Sequence, residues 1–292
     1  MPIKKLFVAL FLIVSTTLFA QQKNGIVSGP WAGNVELRNA SIWVEVTPNV
    51  KVVAVNYTMA GGIPQLKKYT GELGKDFNPL KIELNGLEMN KTYSYTVLID
   101  GKPIKTNYPT QFTTKELWQF RKPAPDFSFL TGSCSYFNEP VFDRPGKPYG
   151  GDSSIFETMA NTPANFHLWL GDNWYTREVD YFTPWGLNYR ASRDRSLPIL
   201  QKFWASMPQY AIWDDHDFGP NNSDRSFPLK RVTEKAFKNF FPNPNYIYDE
   251  GVTGHIQWAD CEFFMLDNRY WRTPNKRSDI ENPEILGEEQ IE

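Results

Sequence analysis

Apolar and polar positions follow three different rules along this chain. Leu6 to Val14 is an unbroken apolar run behind Lys4 and Lys5, and Ser15 to Ala20 supply small and apolar residues before the polar Gln21-Gln22-Lys23-Asn24. A basic start, a short apolar core and a polar exit predict a secretory signal peptide over residues 1–20, because a membrane span needs about 20 apolar residues. From Asn24 to Thr114 the period is two: Ile42, Val44 and Val46 alternate with Trp43 and Glu45, and Ile82 and Leu84 alternate with Lys81 and Glu83. Tyr93, Tyr95, Val97 and Ile99 share one face ahead of Asp100-Gly101, a strong hairpin signal. This pattern predicts an all-β sandwich over 21–115 of the fibronectin type III or immunoglobulin kind. Lys122-Pro123-Ala124-Pro125-Asp126 predicts a stiff linker within 116–126.

Beyond the linker, short apolar strands alternate with helical stretches. Strands are expected at Phe127 to Thr131, Phe166 to Leu170, Tyr210 to Trp213 and Glu262 to Leu266. Helices are expected at Asp152 to Met159, Ser196 to Ala205 and Leu229 to Phe241, and a further one begins near Leu286. That alternation predicts a layered α/β domain over 127–292.

Composition narrows the function. With 41% hydrophobic and 22% charged residues the chain is a packed protein, which excludes disorder and coiled coil. A net charge of −2 offers no polycationic surface for nucleic acid or anionic lipid, and no run after the signal reaches membrane-spanning length. Two cysteines cannot staple a fold of this size. A hydrolytic metal site built mainly of imidazoles would consume all three histidines, so a metal site here is expected to be carboxylate-rich or incomplete. Nothing in the pattern bears on oligomeric state.

Ligands collect at the carboxyl ends of strands in α/β sheets. Four strands here run into reactive groups: Gly132-Ser133-Cys134, Gly171-Asp172-Asn173-Trp174-Tyr175, Asp214-Asp215-His216-Asp217 with Asn221-Asn222 downstream, and Asp267-Asn268-Arg269. Carboxylates leaving neighbouring strand ends repel one another until a proton or a cation relieves them. Each piece alone has a bland reading as a turn, a cap or a buried thiol; the conjunction points to a site.

These motifs, with Trp213 leading the Asp-Asp-His-Asp run, resemble the ordered motifs of the PhoD-like alkaline phosphatases and phosphodiesterases, from about residue 125 onward. The resemblance implies a metallophosphoesterase-like domain behind a β-sandwich, ferric iron on Cys134, Asp172 and Tyr175, and calcium on Asp172, Asp215 and Asn221 or Asn222. It implies hydrolysis of a phosphate ester by metal-activated water. Asn173, Arg193 and Arg269 are candidates to contact substrate, and Arg190 and His216 to assist catalysis. Two roles stay open for His216, orienting a carboxylate or protonating the leaving oxygen, against a His hydrogen-bonded within its loop. Arg190 and Arg193 could equally pair at the surface. Cys261 reads as core, and a Cys134–Cys261 disulfide is the alternative that would take the thiolate from the metal.

The family pattern continues past Glu292 to further Asp and His ligands, so the chain is expected to be either a piece of a longer protein, with an incomplete site, or a shortened relative; the helix that begins near Leu286 favours the piece. Two function classes follow. One is an exported phosphoric ester hydrolase, secreted, periplasmic or on the cell surface. The other is a catalytically inactive cell-surface module in which the 45 aromatics (10 Trp, 14 Tyr, 21 Phe) bind carbohydrate or protein.

Overall fold

The computed structural model describes residues 25–291 except 276 and 278; the expected signal peptide lies outside the described residues. Alternating side chains fold the first stretch as anticipated. Strands β1 (Ile26–Val35), β2 (Asn39–Val46) and β5 (Asn78–Asn85) make one antiparallel sheet in the order β1-β2-β5. The second sheet runs β4 (Gln65–Lys68), β3 (Val53–Met59), β6 (Thr92–Ile99), β7 (Lys102–Pro103), with β8 (Gln111–Thr113) also on β6. Register puts Ile42 opposite Ile82 and Val55 opposite Val97, so Ile42, Val44, Leu80, Val55, Tyr95 and Val97 meet in one core. Asp100 and Gly101 both take positive φ, 48° and 79°, as a tight hairpin turn between β6 and β7 requires.

The opposite face of β1 and β2 is buried too. Trp43 and Glu45 are shielded because a second core packs on them: Trp31 stacks on Trp43 at 4.1 Å and on Trp204 at 5.3 Å. Polar groups seal the same contact. The Trp43 indole donates to the Asn239 carbonyl at 2.8 Å, Ser192 Oγ to Glu45 at 2.7 Å, and Tyr210 Oη to Asn34 at 2.8 Å.

The remainder centres on a three-stranded parallel sheet in the order β11-β10-β9, built from β9 (Phe129–Gly132), β10 (Phe166–Leu170) and β11 (Gln209–Ile212). Around it lie α1 (Ile155–Asn161), α2 (Pro184–Arg195), α3 (Pro198–Ser206), α4 (Asp215–Phe218) and α5 (Lys230–Phe240). One sheet face offers Trp169 and Ala211 to α2, α3, α5 and the sandwich tryptophans. The other offers Phe166 and Tyr210 to a hairpin of β12 (Gly254–Trp258) and β13 (Cys261–Met265). Among the described residues the helices thus lie on one face of this sheet and the hairpin on the other.

Several boundaries move. The first strand starts at Phe129 and the first helix at Ile155. The stretch expected to hold one helix after Ser196 is preceded by α2, a separate helix whose hydroxyl cap Thr183 accepts from Gly186 N. The helix expected near Leu286 is a short 3-10 turn, Glu288–Gln290. Cys261 is exposed, not core, and both cysteines are free. Among the described residues no helix is long and apolar enough to cross a membrane.

Candidate metal centre

Three strand ends build the site. Pairing of β9 with β10 continues past the strands: Cys134 N donates to Gly171 O at 3.2 Å and Ser135 N to Asp172 O at 2.9 Å. Cys134 and Asp172 sit at positive φ, 58° and 52°, which turns both side chains out of the extended line of the sheet. Gly171 (φ 97°) lets β10 approach β11, since a Cβ there would lie 2.7 Å from Asp214 Cβ and 2.9 Å from its backbone N. Beyond β11, Asp214 caps α4, and its backbone N donates to Asp217 Oδ2 at 2.9 Å in a reciprocal capping box.

Asp217, part of the Asp-Asp-His-Asp run but given no role from sequence, organises the site. Fully buried, it also accepts from the backbone N of Asn173 at 2.8 Å and of Trp174 at 3.2 Å, clamping the loop after β10 against α4. The Asp-x-x-Asp spacing from Asp214 to Asp217 was its only signal. Burial holds its carboxyl well above the ordinary value.

The result is convergence. Ligand atoms of Asp172, Asp215 and His216 all lie within 4.8 Å of one another. Asp172 Oδ2 accepts from Tyr175 Oη at 3.0 Å and stands 3.8 Å from Cys134 Sγ, while Oδ1 accepts from His216 N at 3.3 Å. Asn222 N donates to Asp215 Oδ2 at 2.5 Å. Burial raises the Asp172 pKa, with the Tyr175 hydrogen bond opposing and the Asp215 charge adding to it. Tyr175 is likewise pushed up, by burial first and then by its contacts with Cys134 and Asp172. Among the described residues no lysine or arginine pairs with Asp172, so its charge lacks a partner that a cation would supply. The His216 ring packs on Tyr175 at 4.4 Å, and its buried Nδ1 has no hydrogen-bond partner among the described residues. A cavity of about 600 Å³ opens beside Tyr175, His216 and Asn221.

Compared as a fold, the chain is similar to the solved structure of PhoD, with a TM-score of 0.66 at 18% identity over 93% of this chain and 59% of that one. It is also similar to a purple acid phosphatase from yellow lupin (Lupinus luteus) seeds, with a TM-score of 0.55 at 12% identity over 86% of this chain and 46% of that one. The likeness to both is one of fold. The chain spans 59% of the length of PhoD. Residues 23–117 match the model of a domain of unknown function, DUF7800. No curated protein matches the sequence.

The remaining predicted residues are placed elsewhere or already engaged. Arg190 is fully buried, with its guanidinium on Asp180 at 2.8 Å, Glu139 at 2.8 Å and Asp194 at 3.4 Å, so it offers nothing to a ligand from solvent. Arg193 bonds Asp194 at 2.7 Å and the Asn138 carbonyl at 3.0 Å. Arg269 grips Asp214, its Nε at 2.5 Å, and reaches Asp215 only at 3.8 Å. It positions the acidic pair where the sequence suggested a substrate contact. Asn173 donates its amide to the Ile212 carbonyl at 2.9 Å, leaving a buried Oδ1 without a partner. Asn221 and Asn222 are exposed at the rim.

Proposed function

We propose that this protein is an exported, metal-dependent hydrolase of phosphoric esters, with a sandwich over about 21–115 ahead of a phosphatase-like part over 127–292. The observation that carries the reading is the convergence of Asp172, Asp215 and His216 at neighbouring strand ends, with Cys134 and Tyr175 on the same Asp172 carboxylate. Thiol, phenol and carboxylate suit a ferric ion, and carboxylate with amide oxygens suits calcium, so Cys134, Asp172 and Tyr175 would hold iron and Asp172, Asp215 and Asn221 or Asn222 calcium. Metal ions there supply Lewis acidity toward a phosphoryl oxygen and a water of lowered pKa. Asp172 and Asp215 would set the spacing, and Arg269, bonded to the cap residue Asp214, would fix the start of α4, which carries Asp215. His216, beside both carboxylates, would orient one of them or protonate the leaving oxygen.

Two measurements test the reading. Metal analysis of the purified chain should find iron and calcium, and in the full-length protein release of p-nitrophenol from its phosphate ester should depend on calcium. Asp172→Ala and Asp215→Ala should each abolish it; unchanged turnover in both variants, or a chain that binds neither metal, removes the proposal.

A further inference from the structure

The cavity beside Tyr175 and His216 is lined by aromatic rings. Tyr136, Tyr149 and Tyr181 line it together with Phe142, and Tyr149 and Phe142 are 51% and 42% exposed. Tyr136 lies 4.8 Å from the Tyr175 ring and 5.3 Å from the Tyr149 ring, so the cluster begins at the candidate metal ligand and runs outward. Open aromatic surface beside a polar centre is the lining expected of a ligand site.

The loop that carries Tyr136, Phe142 and Tyr149 is held in place before any ligand arrives. Asn138 clamps Tyr149 on both sides, donating to its carbonyl at 2.6 Å and accepting from its N at 3.0 Å. Asp143 accepts from Tyr136 Oη at 2.8 Å, from Glu139 N at 2.6 Å and from Arg177 Nε at 2.9 Å. A preorganised aromatic wall spends little ordering entropy on binding. Charge decides what it selects. Arg177 is buried and neutralised by Asp143, and Arg144, which makes no ion pair among the described residues, is matched on the same lining by Glu178. A balanced, ring-lined cavity suits a neutral planar group and not a second anion.

We infer that the cavity selects phosphoesters whose alcohol part carries a planar ring, such as a nucleoside, with the ring stacked among Tyr136, Tyr149 and Tyr181. The inference rests on the hydrolase reading for the place of the phosphate. Adenosine 5′-monophosphate and ribose 5-phosphate share the same primary-alcohol ester and differ in the base, so their comparison isolates the ring.

Calorimetric titration of the metal-loaded chain should give about ten-fold tighter binding for adenosine 5′-monophosphate than for ribose 5-phosphate, the size of one base-on-aromatic stack. Tyr149→Ala should erase that ratio while changing ribose 5-phosphate binding less than about two-fold, and Tyr149→Phe should retain it. Equal affinities in the unaltered chain, binding of neither compound, or a Tyr149→Ala loss shared by both would overturn the inference. A ratio that survives in a chain without metal uptake would instead refute the hydrolase reading and leave the ring site standing.

Discussion

Glu45 should make this protein less stable as the solution turns from acid to neutral, and Glu45→Gln should remove that sensitivity. The carboxylate faces away from the sandwich core into the second core, where only Ser192 Oγ bonds it and Oε2 has no partner. Burial is the dominant influence, and it outweighs the Ser192 hydrogen bond and the Arg195 charge, raising the pKa from 4.5 to about 7. A carboxyl with a raised folded pKa binds its proton more tightly folded than unfolded. Its stabilising contribution is therefore complete below pH 4.5 and lost as pH rises through 7. At about 1.4 kcal/mol per pKa unit, the gap amounts to about 3 kcal/mol. Glutamine imitates the protonated acid and can still accept from Ser192. Urea unfolding of both proteins from pH 4 to 8.5 should show the variant gaining on the original by about 3 kcal/mol across that window. Other buried carboxyls with raised pKa, such as Asp194 and Asp267, are common to both proteins and cancel in the difference. A difference that stays flat to within about 1 kcal/mol would show Glu45 ionised inside the fold and refute the reasoning.

Two further substitutions probe the framework. Gly171→Ala puts a Cβ within 3.0 Å of the Trp213–Asp214 backbone at φ 97°, so strain and overpacking together should remove about 2–5 kcal/mol and weaken metal uptake by parting Asp172 from Asp215. Gly101→Ala has a similar φ of 79° but nothing within 4 Å, and should lose only about 1–2 kcal/mol; equal losses in denaturant melts would contradict the close-approach argument. Trp43→Ala should lower stability by about 3–5 kcal/mol, because it empties a fully buried site and strips the Asn239 carbonyl of its donor in the last turn of α5. The unaltered chain should melt in one transition by near-ultraviolet circular dichroism, and two well-separated transitions would show that the tryptophan contact does not couple its halves.

What could be read from the sequence was what short-range rules write there. β10 follows from its apolar run and the Asp100-Gly101 turn from its dipeptide, and the strand-end motifs marked Asp172 and Asp215 before any geometry was known. α2 escaped because it buries charge in place of an apolar stripe: Arg190, Asp194 and Arg195 lie inside, and only Thr183-Pro184 announced its start. Arg195 shows why such a helix is tolerable. Its guanidinium lies 3.7 Å from the Phe241 ring centroid and 4.6 Å from that of Trp174, within reach of the Glu45 and Asp217 charges, so aromatic faces and distant carboxylates replace water. No local pattern encodes that arrangement, because its partners come from the sandwich, from the loop after β10 and from α5.

The same network bears on the site. Asp217 binds the loop after β10 to α4, and α4 carries Asp215 and His216. Arg195 is one of the charges that offset the cost of burying Asp217, and Glu45 of the sandwich is one of those that keep Arg195 charged. A run of buried ionisable groups thus extends from the outer face of β2 to the helix that holds two of the three converging side chains. The proline-rich linker is therefore not the sole tie between the sandwich and the candidate metal centre, because Glu45, Arg195 and Asp217 lie together in the core packed between them.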